Sequence, residues 1–165
     1  MSLLDIGGGL GGIQHALFER GLNQATHVDA SSAYLRAAES EANRRIFTER
    51  IEFLKGDFVD LAKNISPADI VTLDRVICCY DDMQSLVKLS AEKAKMIYGL
   101  VFPRDLWLFR VLLPIVNFII SLTGTPFRIF IHRSEDVNRL LMEEGLLPVF
   151  HQSAGFWQIL VFDRK

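Results

Sequence analysis

Residues 3–12 of the chain are Leu3-Leu4-Asp5-Ile6-Gly7-Gly8-Gly9-Leu10-Gly11-Gly12, an apolar run that passes directly into five glycines. The apolar run is typical of a buried strand, and the pattern of residues 12–20 predicts a helix that Gly21 ends. Only glycine allows the backbone to turn this tightly and lets a ligand approach the main chain. The stretch therefore predicts a strand, a ligand-binding turn and a helix, with a tight turn that binds nothing as the alternative.

Apolar runs alternate with longer stretches of helical period along the rest of the chain, which is typical of βαβ units and a parallel sheet. Predicted strands cover residues 3–6, 25–29, 51–54, 69–73, 96–102, 147–151 and 156–162. Further helices are predicted from Ser31 or Ser32 to about Phe47, over 82–95, and from Ser134, as a capping residue, to Gly145. The last two strands form a predicted hairpin around residues 153–155, so the final strand runs antiparallel to its neighbour.

The composition indicates one globular domain over residues 1–165. Of the residues, 50% are apolar and 23% are charged, which excludes a disordered or fibrous chain. There are 18 Lys and Arg against 20 Asp and Glu, for a net charge of −2, and no basic run. Nucleic acid is therefore excluded as the expected partner, because a string of phosphates needs such a run.

Cysteines and histidines carry no metal or disulfide pattern. Cys78 and Cys79 are adjacent, which does not suit a disulfide framework or a zinc site with spaced ligands. The histidines are scattered without the spacing that places two ligands on one helical face: His15, His27, His132 and His151. We therefore expect no metal site. The first residues lack the pattern of a secretory signal, and the expected location is cytoplasmic.

Two ligand classes compete for the glycine turn. Gly7-x-Gly9-x-x-Gly12 matches the dinucleotide pattern of nicotinamide enzymes, whereas Asp5-x-Gly7-x-Gly9-x-Gly11 matches the acidic glycine motif of S-adenosylmethionine (AdoMet)-dependent methyltransferases. Asp29 ends the second predicted strand, where a carboxylate can accept both ribose hydroxyls of an adenosine, and both classes use such an acid. A helix-capping role is the alternative for Asp29.

Two later segments favour the methyltransferase pattern. Residues 55–58, Lys-Gly-Asp-Phe, resemble the third methyltransferase motif, in which Asp57 would accept a hydrogen bond from the adenine amino group and Phe58 would lie along the ring. Residues 69–76 resemble the fourth motif, whose Asp74 would face the methionine part of AdoMet or the substrate. The alternative for residues 56–57 is a simple Gly-Asp turn. The alternative for Asp74 is an exposed acid at the end of a strand, or one paired with Arg75.

Together these segments resemble the class I AdoMet-dependent methyltransferase family over nearly the whole chain. The resemblance implies a Rossmann-like α/β fold, with a seven-stranded, mostly parallel sheet of order 3-2-1-4-5-7-6, an antiparallel last strand and helices on both faces. It implies AdoMet as cofactor and these binding residues: Asp5, Gly7, Gly8, Gly9, Gly11, Asp29, Ala30, Gly56, Asp57, Phe58, Asp74 and Arg75. We assign no catalytic side chain, because the cofactor carries the activation and the protein supplies alignment.

An apolar insertion over about residues 103–130 follows the fifth predicted strand. Its uncharged run, 111–127, contains Pro114, Asn117 and Pro126, which leave too short an apolar core for a membrane span. We expect an apolar lid or membrane-surface helix over the substrate pocket, with a plain packing helix as the alternative. The layout is similar to that of magnesium-protoporphyrin O-methyltransferases. It suggests a small, apolar or aromatic acceptor, with these candidate contacts: Tyr80, Tyr98, Arg104, Arg128 and His132.

Three functional hypotheses follow from the sequence. The first is a methyltransferase for a small molecule, the second an AdoMet-binding domain without catalysis, and the third an NAD-dependent oxidoreductase. Most family members carry helices before the first strand, whereas here the strand begins at Leu3. The expectations are a truncated chain, an unusually open site or an edge covered by a partner subunit, which leaves a homo-oligomer open.

Overall fold

Seven strands form one sheet in the part of the chain that the structure describes. The computed structural model describes residues 1–125 and 127–165, apart from the side chains of Leu108 and Arg110. Strands β1 to β7 are Ser2–Ile6, Gln24–Asp29, Ile51–Lys55, Ala68–Asp74, Ala94–Pro103, Leu146–Ala154 and Trp157–Arg164. Their order is β3-β2-β1-β4-β5-β7-β6, and β7 pairs antiparallel with both β5 and β6. The expected fold class and strand order are confirmed.

Helices follow the predicted alternation with the strands. Helices α1 to α6 are Gly12–Phe18, Ser32–Arg44, Phe58–Leu61, Met83–Lys93, Trp107–Ser121 and Ser134–Glu143. The sequence did not predict α3, because its 4 residues are too few to show a helical period. Helix α2 begins as expected, since the Ser31 hydroxyl accepts a hydrogen bond from the Tyr34 amide at 3.3 Å.

The start of α6 differs from the sequence-based expectation. Ser134 is the first helical residue rather than its cap, and Arg133 occupies the capping position without a side-chain hydrogen bond. The Ser134 hydroxyl instead lies 2.8 Å from Nε2 of Gln158, which donates to it from β7. A tertiary contact has therefore taken the oxygen that a local cap would have used.

Both faces of the sheet are covered, which leaves the strand ends as the open positions. Successive residues of β1 point to opposite faces, and Leu3 and Leu4 are nonetheless only 1% and 0% exposed. Leu3 packs with Phe18 of α1, whereas Leu4 belongs to the larger cluster that contains Leu86 of α4. In such sheets ligands bind in the crevice beyond the carboxyl ends of the strands.

The terminal hairpin has a shorter turn than the sequence predicted. Ser153 and Ala154 belong to β6, where they pair with Gln158 and Trp157 of β7. The connection is therefore the two residues 155–156, with Gly155 at a φ of +60°. Two-residue turns with positive φ match the right-handed twist of the paired strands, so they allow the ladder to extend further.

The predicted insertion contains α5, which includes Pro114. Within the described ranges, no helix combines the length and apolar content needed to cross a bilayer. Pro126, one of the residues that shorten the apolar core of the predicted insertion, lies outside the described residues. The chain returns to the body of the molecule at Phe130, whose amide donates to the Cys78 carbonyl at 2.7 Å.

Candidate functional site

A cavity of about 850 Å³ opens at the carboxyl ends of β1 to β4. Its lining includes nearly all of the predicted binding residues: Asp5, Gly7, Gly8, Gly9, Asp29, Ala30, Gly56, Asp57, Phe58, Asp74 and Arg75. Gly11 does not line the cavity and instead precedes α1 with a φ of +79°. Segments distant in the sequence therefore converge on one space because parallel strands place their ends along one edge.

The glycine turn packs tightly on one side and faces open space on the other. A Cβ atom on Gly8 would lie 2.6 Å from both Oδ2 of Asp5 and Cε1 of His27. A Cβ on Gly9 would meet no atom within 4 Å, although the backbone there has a φ of +56°. The loop thus rests on buried polar side chains and leaves its other side free for a ligand.

Asp5 belongs to the floor of the cavity. It is 1% exposed, and the Thr72 hydroxyl donates to its Oδ1 at 2.7 Å. Its Oδ2 has no hydrogen-bond partner among the described residues. Burial raises the pKa of Asp5 to about 7, and the carboxylates of Asp74 and Asp29 add to this shift. Asp5 consequently holds a proton in the native state over most of the acidic range.

His27 supports the same loop from the neighbouring strand. Burial lowers the pKa of His27 to about 4, so the ring is neutral near pH 7. Its Nδ1 lies 3.1 Å from Oε1 of Gln14, an atom that only accepts hydrogen bonds, and Nδ1 is therefore the donor. The glycine turn is thus supported by a neutral histidine and a carboxyl group that tends to remain protonated.

We expect the Asp5→Asn substitution to raise the free energy of unfolding relative to the wild type, increasingly so as pH rises. The native state retains the Asp5 proton until about pH 7, whereas the unfolded chain releases it near 3.8. The wild type therefore loses stability as pH rises through this window, and asparagine removes that loss. Between about pH 4.5 and pH 8 the difference should grow by about 3 kcal/mol.

Urea unfolding of both proteins at several pH values measures this difference, and subtraction cancels the other titrating groups. A difference that stays constant with pH would show that Asp5 is ionised in the native state.

Asp29 lies at the end of β2 and is fixed by two backbone donors. Its Oδ2 accepts from the Gly9 amide at 3.2 Å, and its Oδ1 accepts from the Ser31 amide at 2.7 Å. The side chain is 9% exposed and lines the cavity. Since each carboxylate oxygen has two lone pairs, both can accept a further hydrogen bond from a ligand. The contact with Gly9 also ties β2 to the glycine turn.

Asp57 is held by a tyrosine as well as by its own helix. The Tyr80 hydroxyl donates to Asp57 and lies 2.9 Å from both carboxylate oxygens. The Val59 amide donates to Oδ1 at 2.9 Å, which makes Asp57 the cap of α3. Burial, and then the contact with Asp57, raises the pKa of Tyr80, so its hydroxyl keeps the proton it donates. Asp57 is thus oriented at the cavity wall before any ligand arrives.

Arg75 has an unusual backbone conformation at the edge of the cavity. Its φ is +59°, a left-handed conformation that non-glycine residues seldom adopt and that costs about 1–3 kcal/mol. The guanidinium donates two hydrogen bonds to Asp74, each at 3.0 Å, and the side chains are 59% and 28% exposed. Exposed pairs of this kind contribute little to stability.

A comparison with protein families decides the class of the chain. A family model described as a methyltransferase domain matches residues 4–92, more than half of the chain. The chain belongs to this family. Structures of magnesium protoporphyrin IX methyltransferase resemble the chain, and they were solved with bound S-adenosylmethionine (SAM) and with bound S-adenosylhomocysteine (SAH). Membership of a methyltransferase family agrees with the expected cofactor, S-adenosylmethionine, and the dinucleotide alternative loses its basis.

Solved structures resemble the methyltransferase domain over 98–99% of its length. The magnesium protoporphyrin IX methyltransferase of Synechocystis PCC 6803 has 20% identity and a TM-score of 0.77, with 74% of that chain covered. An O-methyltransferase family protein from Burkholderia thailandensis has 19% identity and a TM-score of 0.78, with 51% covered. At these identities the likeness concerns the fold. No curated protein sequence matches the chain.

The methyltransferase cavity also includes residues that sequence reasoning did not assign to it. Among them are Tyr34, Cys79 and Phe127. The sulfurs of Cys78 and Cys79 lie 3.7 Å apart, and this contact lowers the pKa of Cys79. The sequence contains no signal that Cys79 lines the cavity, because its position there depends on the turn at Ile77–Cys79.

Of the five candidate substrate contacts, Tyr80 alone lines the methyltransferase cavity. Tyr98 is 0% exposed, and its hydroxyl lies 2.7 Å from that of Ser90 in the core. The remaining three bond to backbone carbonyls: His132 to Ile77, Arg128 to Phe127 and Arg104 to Gly155. These polar groups therefore stabilise the backbone of the insertion and of the hairpin turn.

Proposed function

We propose that the chain is an enzyme that transfers the methyl group of S-adenosylmethionine to a small, apolar or aromatic acceptor. One observation carries the proposal: Asp29 and Asp57, at the ends of neighbouring strands, line the same cavity as the open side of the glycine turn. Its volume, about 850 Å³, lies within the range of small-molecule sites. The residues present therefore fit a nucleoside with an amino-acid tail.

Each part of the cofactor has proposed partners in the cavity. Asp29 would accept from the ribose hydroxyls, because its oxygens are fixed by backbone donors and retain free lone pairs. Asp57 would accept from the adenine amino group, with Phe58 along the ring. Asp74 would accept from the methionine amino group. The remaining predicted residues that line the cavity would surround these contacts: Asp5, Gly7, Gly8, Gly9, Ala30, Gly56 and Arg75. Gly11, outside the lining, would act only by allowing the turn into α1.

The chemistry depends mainly on alignment. When bound, the cofactor supplies a sulfonium methyl group that a nucleophile can displace in line with the sulfur. The chain would supply proximity, which can lower such a barrier by several kcal/mol. Asp29 and Asp57 are held in place before binding, so little reorganisation is needed. We assign no general base, in keeping with the sequence-based expectation.

Part of the cavity lining supports an apolar substrate. Val76, Leu86 and Phe127 line the cavity, alongside Tyr80 and Cys79. Apolar walls with a few placed polar groups are typical of sites for small molecules. We propose that residues 1–165 work as one domain in which the insertion at about 103–130 covers the substrate pocket.

Calorimetric titration with S-adenosylhomocysteine, followed by transfer of a labelled methyl group, tests the proposal. We expect saturable binding of S-adenosylhomocysteine. When the protein is incubated with a lysate and AdoMet carrying a tritium-labelled methyl group, we expect label in the organic extract. Absence of binding would overturn the proposal. Binding without transfer to any extracted or precipitated fraction would favour the second hypothesis, an AdoMet-binding domain without catalysis.

A further inference from the structure

Helix α5 presents an apolar face that no described part of the chain covers. Seven apolar side chains on this outer face are 40–71% exposed, the last of them just past the end of the helix: Val111, Leu112, Ile115, Val116, Phe118, Ile119 and Leu122. None of the described side chains of α5 is buried. A helix of a globular protein normally turns such residues toward the core, so this face is built to meet something else.

The opposite face of α5 is already used, which fixes the orientation of the helix. Asn117 donates from Nδ2 to the Ile129 carbonyl and accepts from the Ile129 amide at Oδ1, both at 2.9 Å. Phe109 packs edge-on against Phe156 of the hairpin turn, with ring centroids 4.6 Å apart. Rotating the helix to bury its apolar face would break these contacts. The exposed face is therefore a stable feature of the fold.

We propose that α5 lies flat in the interface of a lipid bilayer that contains anionic lipids. The 15 residues of the helix span about 22 Å, short of the bilayer core of about 30 Å. An apolar face of this kind suits the boundary between headgroups and acyl chains. Trp107, at the start of the helix, is 75% exposed, and tryptophan side chains favour that boundary.

The charges around α5 favour an anionic membrane over a second copy of the chain. Residues 104–135 contain four arginines against Asp105 and Glu135, a net charge of +2, and Arg133 is paired with Glu135 at 3.0 Å. Basic residues beside an apolar face attract anionic headgroups. A two-fold contact would bring two segments of the same net positive charge together, which is unfavourable.

The position of the helix also gives the membrane a role in substrate access. The segment that follows α5 brings Phe127 into the lining of the cavity. An acceptor dissolved in the lipid could then enter beside Phe127 without crossing water. This part of the inference depends on the proposed methyltransferase function, whereas the membrane contact itself does not.

Co-sedimentation of the full chain with lipid vesicles tests the inference. We expect the wild type to bind vesicles of phosphatidylcholine and phosphatidylglycerol more tightly than vesicles of phosphatidylcholine alone. The Ile115→Glu substitution, on the outer face, should weaken that binding at least about tenfold, because a charge enters the acyl boundary. Ile46→Glu is the matched control: Ile46 is 90% exposed and lies outside the insertion.

Calorimetry with S-adenosylhomocysteine separates this inference from the proposed function. Ile115→Glu should keep the ligand affinity of the wild type while losing vesicle binding, and Ile46→Glu should keep both. The inference is overturned if the wild type binds neither vesicle type, or if Ile115→Glu binds vesicles with the same affinity as the wild type. A dimer in sedimentation analysis that Ile115→Glu dissociates, without vesicle binding, would assign the face to a second copy instead.

Discussion

The Asp29→Ala variant is expected to bind S-adenosylhomocysteine at least about a hundredfold more weakly than the wild type. Under the proposed function, the substitution removes two hydrogen bonds between ribose hydroxyls and an ionised carboxylate, and such bonds are among the strongest in proteins. It also releases the amides of Gly9 and Ser31, which Asp29 now holds at 3.2 and 2.7 Å. The glycine turn would lose its link to β2, which should weaken binding further.

Asp82→Ala is the matched control for Asp29→Ala. Asp82 also accepts from a backbone amide, that of Ser85 at 3.0 Å, where it caps α4, and it does not line the cavity. Its removal should lower the melting temperature slightly and leave ligand affinity unchanged. Calorimetric titration of the three proteins makes the comparison. Equal affinity of Asp29→Ala and the wild type would contradict the proposed ribose contact.

The Gly8→Ala substitution should lower the free energy of unfolding by about 3 kcal/mol and abolish ligand binding. The new methyl group would lie 2.6 Å from Asp5 and His27, two side chains that are 1% and 0% exposed. Neither can move aside easily, because the hydroxyl of Thr72 holds Asp5 at 2.7 Å and Gln14 holds His27 at 3.1 Å. The loop would have to lift, and the cavity wall would change shape with it.

Gly9→Ala separates crowding beneath the loop from crowding on its open side. No atom lies within 4 Å of its added Cβ, so the cost is that of a left-handed backbone at φ +56°, about 1 kcal/mol. We expect this variant to remain folded and to bind S-adenosylhomocysteine more weakly, since its methyl group occupies open space at the cavity wall. Thermal unfolding and calorimetry of both variants test the pair. If Gly8→Ala were as stable as Gly9→Ala, the packing argument would be wrong.

The sequence predicted the elements and their order because the relevant signals are local or follow from the family resemblance. Buried strands appear as short apolar runs, and the terminal hairpin made the antiparallel last strand predictable before the family order was applied. One error, the cap of α6, falls where a distant residue competes with a local preference, because Gln158 donates to the hydroxyl of Ser134. Contacts of that kind have no signature within a window of sequence.

The candidate site divides in the same way. The acids at the strand ends were predictable, because parallel strands bring their carboxyl ends to one edge. The contact that orients Asp57 was not predictable, because Tyr80 lies 23 residues away in the sequence. The position of Cys79 at the cavity was not predictable either, because it depends on a short turn. The sequence left the direction of the apolar face of α5 open between a lid, a membrane-surface helix and a packing helix, since periodicity shows that a face is apolar but not what it contacts.

By itself, the sequence determined that the chain forms an α/β sheet with a ligand-binding glycine turn and carboxylates at the strand ends. Apolar periodicity and glycine runs act over a few residues, so they can be recognised without coordinates. Only the tertiary structure decided that Asp5 is a buried, proton-holding support for the loop, that Tyr80 fixes Asp57, and that α5 turns its apolar face outward. Burial, pKa shifts and exposed faces depend on which distant segments pack together, and folding alone sets that packing.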